Sequence, residues 1–133
     1  MKDRTVLQAK RLGIVSCQRQ DALGGIAQRM ADDDISALVV VNPADDLAGI
    51  ISRSDLLRAY MEDPEGWRAL PVEAYMTRDV VTVAPTDRLL DAAKLMLGNH
   101  IHRVVVVRES DAGMIPIAVI SDSDLVCDMA DAG

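Results

Sequence analysis

The chain has 133 residues, half of them hydrophobic and 26% charged, with a formal net charge of −7. That length fits one domain or one tightly paired module, large enough to bury a core without disulfide or metal staples. The composition excludes wholesale disorder, the acidic balance excludes a field that attracts nucleic-acid backbones, and the longest apolar runs fall far short of a membrane span. With no Phe, one Trp and two Tyr, the core must come from Val, Ile, Leu, Met and Ala. The aromatic platform on which single-stranded nucleic acid stacks is missing too. No basic-then-apolar leader is legible, so a soluble cytoplasmic protein is the expectation, without membrane or nucleic-acid partners. Cys17 and Cys127 lie far apart, without CxxC or metal spacing, and read as buried free thiols.

In chain order, residues 14–17 form a short β-branched run and predict a strand. Asp21 caps or opens a helix whose Leu23, Ile26, Ala27 and Met30 fall at helical spacing. Gly24 and Gly25 each cost this helix about 1 kcal/mol relative to Ala, a weakness that would permit close packing across a dimer interface. Asp32, Asp33 and Asp34 read as a solvated helix end. Residues 35–41, apolar without a break from Ala37 onward, predict a strand buried on both faces. A turn at 42–46, a returning strand at 47–51 and a helix from Ser54 to about Met61 follow. Residues 62–66 break the chain, and Trp67 is expected to pack the linker onto its surroundings.

The same order then recurs: a strand at 80–83, Asp87 before a helix carrying Leu89, Ala92, Ala93 and Met96, and a strand at 101–107. A turn at 109–113, a strand at 115–120 and a helix from Ser123 to about Met129 complete it. An offset of 66 residues carries Val6 onto Val72, Asp21 onto Asp87, Leu23 onto Leu89, Met30 onto Met96 and Val39 onto Val105. Beyond the second turn the offset becomes 69, carrying Asp55 onto Asp124, so the second loop is three residues longer. Two copies of roughly 55 residues exceed the 20–45 typical of solenoid repeats and predict a paired module. The fold class is α/β (α+β), with β-α-β-β-α occurring twice. Its boundaries are a first repeat at 1–61, a linker at 62–71 and a second repeat at 72–133.

The duplication, the Val-Thr-Val-x-Pro segment at 81–85, the Ile-His-Arg-Val-Val-Val run at 101–106 and the Ser-x-Ser-Asp that joins strand to helix in each copy together resemble tandem CBS domains, the Bateman module. The resemblance covers essentially the whole chain and implies two repeats packed about a pseudo-twofold axis, leaving two clefts. It implies regulatory binding of an adenosine compound without catalysis, no resident cofactor, and modules that pair as homodimers.

The family pattern is Gly, two apolar residues, Ser or Thr, two residues of any kind, then Asp. The first copy supplies Gly49, Ser52, Arg53, Ser54 and Asp55; the second supplies Ala118, Ser121, Asp122, Ser123 and Asp124. An ionised Asp is an acceptor only, suited to the two hydroxyls of a ribose. Serine hydroxyls and the free amides of a helix start suit a phosphate. The same residues are also an ordinary N-cap signal. His102 and Arg103 are the strongest phosphate candidates, one an imidazole and the other a planar fork of donors. The matching Ser36 and Ala37 line the first site without charge, and Arg53 can supplement it. Ala118 replaces the pattern's glycine, where a position needing close backbone approach would not accept a methyl group. Ile14, Ser16, Val80 and Thr82 resemble the strand positions that meet the base.

His100 and His102, two apart on one predicted strand face, are the only imidazoles and lack a third ligand, so no metal site is expected. His102 with Asp124 is the nearest approach to an acid–base pair, and no nucleophile accompanies it, so no enzyme is expected. The reading is a sensory module that binds AMP, ADP or ATP and signals to a regulated protein partner. The alternative is a ligand-free dimerisation or interaction scaffold.

Overall fold

The computed structural model describes residues 4–6 and 13–132. They form two bodies, one built from Val15–Asp79, the other from Val80 onward together with the described residues before Val15. The first body contains β1 (Ser16–Gln18), α1 (Leu23–Asp33), β2 (Ala37–Val41), β3 (Leu47–Ser52) and α2 (Arg53–Glu62), followed by 3-10 turns at Trp67–Ala69 and Val72–Ala74. The second contains β4 (Thr82–Val83), α3 (Leu89–Asn99), β5 (Arg103–Ser110), β6 (Gly113–Ser121) and α4 (Asp122–Ala132). Each body is therefore a β-α-β-β-α unit, as the repeat predicts. None of the described helices is long and apolar enough to cross a membrane.

The two sheets share one topology. The first has strand order β1-β2-β3, with β1 parallel to β2 and β2 antiparallel to β3. The second repeats this as β4-β5-β6. Register shifts fall between Val40 and Val41 and between Val106 and Val107, the same place in each repeat. Leu38 to Val41 and Val104 to Val107 are all buried, as unbroken apolar runs require.

One core fills each body, from matched positions. Cys17, Leu23, Met30, Leu38, Val40 and Ile51 occupy the first, and Val83, Leu89, Met96, Val104, Val106 and Ile120 the second. Each core also takes residues from chain that lies ahead of the other body's first strand: Val72 and Met76 in the first core, Val6 in the second. Val72 completes the first core, donating its amide to the Asp21 carbonyl at 2.9 Å, and Val6 completes the second, donating to the Asp87 carbonyl at 2.9 Å. Leu23 N–H bonds Leu70 O at 2.9 Å, and Leu89 N–H bonds Arg4 O at 3.0 Å. Arg4 also pairs with Asp128. Sequence residues 71–79 thus pack on the first body, and Trp67 meets Tyr60 edge-on with ring centroids 6.3 Å apart.

Local departures from the predicted elements have physical causes. Asp21 and Asp87 do not cap their helices; their Oδ2 atoms accept the Gln18 and Ala84 amides across the strand-to-helix loop, at 2.9 and 2.8 Å. The second hairpin is longer than polarity suggests, with β5 running to Ser110 and β6 starting at Gly113. Gly24 has a neighbour within its own chain: a Cβ there would lie 3.2 Å from Arg68 Cβ and 3.2 Å from Arg68 O. Of the two thiols, Cys17 is buried as predicted and Cys127 is exposed, on the outer face of α4.

Candidate functional site

The strand-to-helix turn is built identically in the two bodies. In the first, the Arg53 amide donates to Ser36 O at 3.1 Å as β3 ends and α2 begins. In the second, the Asp122 amide donates to His102 O at 2.8 Å. The ladders pair Ala37 with Ser52 and Arg103 with Ser121. The backbone therefore brings Ser36, Ala37, Ser52, Arg53, Ser54 and Asp55 to one turn, and His102, Arg103, Ser121, Ser123 and Asp124 to another. Ser16 and Thr82 stand one strand away, paired with Val39 and Val105. Ile14 groups with the second body and Ser16 with the first; Val80 and Thr82 both lie in the second. All four are half-buried.

Capping consumes much of the motif. Asp55 is 5% exposed, and its Oδ2 accepts the Ser52 amide at 2.8 Å and the Ser52 hydroxyl at 3.1 Å. Its Oδ1 lies 3.4 Å from Arg58 Nη2. This is a capping box that fixes the start of α2. In the second body Ser121 N–H donates to Asp124 Oδ2 at 2.8 Å, and Asp124 N–H returns to Ser121 Oγ at 3.1 Å. Asp124 is half-buried, where Asp55 is enclosed. Ser54 and Ser123 are exposed beside these caps.

The charged residues are arranged differently in the two turns. Arg53 Nη2 reaches Asp34 Oδ1 at 3.2 Å across an exposed surface. His102 Nδ1 lies 2.9 Å from Asp122 Oδ2, rather than pairing with Asp124. The hydrogen bond from His102, aided by the Ser123 amide and the charge of Arg103, holds the Asp122 carboxyl below its ordinary value of 3.8. Asp122 is the residue sequence reasoning overlooked, although its alignment with Arg53 in an otherwise matched motif was a visible signal.

Two further expectations are resolved by the backbone. His100 terminates α3 in the left-handed region at φ 55, as the aligned Asp34 terminates α1 at φ 50. With β5 starting at Arg103, His100 and His102 share no strand face, and among the described residues no group of three or more His, Cys, Asp or Glu could hold a metal ion. Gly49 is needed for packing within the chain, since a Cβ there would lie 2.6 Å from Thr77 O. Ala118 meets no such demand; it is a buried member of the second core. An apolar groove of about 520 Å³ runs between α1 and α2, lined by Met30, Leu57, Tyr60 and Trp67 among others, with Arg53 and Asp34 also on its wall.

The family model for the CBS domain matches residues 10–62 and again residues 72–131. The CBS domain-containing protein CBSX3, mitochondrial, of Arabidopsis thaliana is 33% identical over 110 residues, 80% of this chain and 52% of that protein. The 5'-AMP-activated protein kinase subunit gamma-3 of Homo sapiens is 38% identical over 58 residues, 44% of this chain and 12% of that protein. The chain thus spans about half, or less, of the length of these curated relatives. Among solved structures, the CBS domain of a CBS domain-containing membrane protein from Sphaerobacter thermophilus superposes with a TM-score of 0.80 at 26% identity, covering 95% of this chain and 88% of that one.

Proposed function

Because the chain belongs to the CBS-domain family, whose model matches both of its repeats, we propose that it is a regulatory module binding an adenosine-containing nucleotide of the AMP, ADP or ATP type at its strand-to-helix turns and signalling occupancy to a protein partner. The observation that carries this reading is the duplicated turn. In both bodies the same backbone bond opens the helix, the same Ser–Asp cap fixes it, and exposed serine hydroxyls stand at its first turn. Such a turn presents amides and hydroxyls to a phosphate with the helix dipole behind them. The gamma-3 relative, a subunit of a kinase whose name calls it 5'-AMP-activated, aligns with less than half of this chain and supports the same ligand class.

In this reading Asp124 accepts ribose hydroxyls, being more accessible than Asp55. At the first turn Ser52 and Ser54 flank the phosphate, with Arg53 as cationic donor and Ser36 and Ala37 beside it; at the second turn Ser121 and Ser123 flank it, with His102 and Arg103 as cationic donors. Ser16 supplies a wall for the base at the first turn, and Ile14, Val80 and Thr82 do so at the second. A ligand that binds only the folded state raises its stability by about 2.7 kcal/mol at one hundred times its Kd. A thermal-shift series with AMP, ADP, ATP and adenosine is therefore expected to raise the melting temperature in a concentration-dependent way. No shift with any of them at millimolar concentration would overturn the proposal.

A second reading, a dimerising scaffold, draws on a different observation. Leu57 and Tyr60 on α2 are 67% and 55% exposed, and the aligned Val126 and Met129 on α4 are 60% and 70% exposed. Equivalent apolar helix faces left to solvent in both repeats suit a second copy of this chain. Sedimentation of a Leu57→Asp plus Val126→Asp variant tests it: a dimer in the parent and a monomer in the variant is the expected result.

A further inference from the structure

Arg53 opens α2 and Asp122 opens α4, so the two otherwise matched turns carry opposite charges at one position. The backbone there is the same in both, each amide donating to the carbonyl of the residue before the central strand. The reversal is therefore confined to the side chains. The Asp122 carboxylate folds back over its own turn: Oδ1 accepts the Ser123 amide at 2.8 Å, and Oδ2 lies 2.9 Å from His102 Nδ1. Those are two of the groups that a ligand phosphate would use. Arg53 has no acceptor and cannot cover the corresponding amide of Ser54. Its contact with Asp34 joins side chains that are 56% and 97% exposed, and pairs of that kind are weak and readily exchanged.

We infer that Asp122 is a charge-discriminating residue, an intramolecular anion that competes with ligand phosphate for the Ser123 amide and the His102 ring. It weights the second turn toward the adenosine compounds bearing least negative charge, while Arg53 weights the first toward those bearing most. This rests on the nucleotide reading above and specifies the ligand class for each turn.

Calorimetric titration of the parent chain, Asp122→Asn and Arg53→Asp with adenosine, AMP and ATP tests it. Asn keeps the shape and an acceptor for the Ser123 amide, removes the charge, and turns the atom facing His102 Nδ1 from an acceptor into a donor. Asp122→Asn is expected to tighten AMP about fivefold, roughly the effect of one unit-charge repulsion at about 4 Å in water. ATP should tighten by more, and adenosine should stay within about twofold. Arg53→Asp should weaken ATP more than AMP and leave adenosine unchanged. If adenosine binds but the Asp122→Asn effect is absent or equal for the three ligands, the discrimination is overturned while nucleotide binding stands. If none of the three binds the parent or either variant, the nucleotide reading falls and this inference with it.

Discussion

The amide of Val6 donates to the carbonyl of Asp87 at 2.9 Å, placing a residue from ahead of β1 in the core of the second body. Val72, from ahead of β4, does the reciprocal thing with Asp21 in the first body, so each core is closed by chain that precedes the other body's first strand. Val6 is 1% exposed and Val72 is fully buried. Truncating either to Ala removes two methyl groups and leaves a cavity, a cost of about 2 kcal/mol. The location of the damage distinguishes this arrangement from two self-contained repeats. Val6→Ala is expected to speed hydrogen exchange at Val104 to Val107, and Val72→Ala at Leu38 to Val41. The opposite assignment would mean that each leading segment packs on its own repeat.

Asp55 predicts a confounded ligand experiment. It is enclosed and holds the Ser52 amide, the Ser52 hydroxyl and Arg58 together. Asp55→Ala leaves the half-buried Ser52 amide without its acceptor and removes a cap, costing about 1–3 kcal/mol before any ligand is added. Asp124→Ala, at a more exposed turn, should cost about 1 kcal/mol. Chemical denaturation without ligand is the check, and equal midpoints for Asp55→Ala and the parent would refute a structural role. Asp124→Ala is accordingly the cleaner probe of ribose binding.

Much of this was legible because the chain states its pattern twice. Val39 to Val41 and Val105 to Val107 align, are apolar throughout, and form matching buried strands. The extent of the second hairpin is not legible because Arg108, Glu109 and Ser110 are exposed; strand pairing there continues through backbone bonds, which leave no hydrophobic signature. The place of His100 at the end of α3 is hidden in the sequence because a left-handed helix end has no apolar periodicity to mark it. The match of Val6 with Val72 was visible, but a match by itself does not say which core a segment enters. At the site, the serines and aspartates were found by spacing. The engagement of Asp122 with His102 depends on side-chain direction, which spacing does not specify.

Gly49 separates packing from ligand approach as the reason for the motif's glycine. Ile50 and Thr77 exchange backbone hydrogen bonds at 3.0 and 2.9 Å, bringing Thr77 O to 2.6 Å from where a Cβ on Gly49 would stand. Gly49→Ala must push that strand of chain away, at about 1–3 kcal/mol. The Thr77 amide should then exchange with solvent markedly faster. Introducing glycine at the aligned Ala118 should cost only about 1 kcal/mol, through added chain entropy and a lost methyl contact. A Gly49→Ala protein with parental stability and an unaltered Thr77 amide would reassign the glycine to ligand approach.

Cys17 and Cys127 predict opposite reactivities. Burial, then the charge of Asp21, pushes the Cys17 thiol up from 9.0 to about 11, against a smaller lowering by Arg29. Only the thiolate attacks an alkylating agent, so at pH 8 native Cys17 should stay unmodified while exposed Cys127 reacts; in denaturant both should react. The sign for stability follows from the same shift. Below about pH 9 the thiol is protonated whether the chain is folded or not, and Cys17 contributes no pH dependence. Between about 9 and about 11 the unfolded chain releases the proton while the folded chain retains it, so the unfolded state binds fewer protons and stability falls as pH rises. Cys17→Ala loses packing at every pH but should flatten that alkaline decline. Denaturation midpoints from pH 7 to 11 would show it, and an unchanged alkaline slope in Cys17→Ala would exclude the buried thiol as its source.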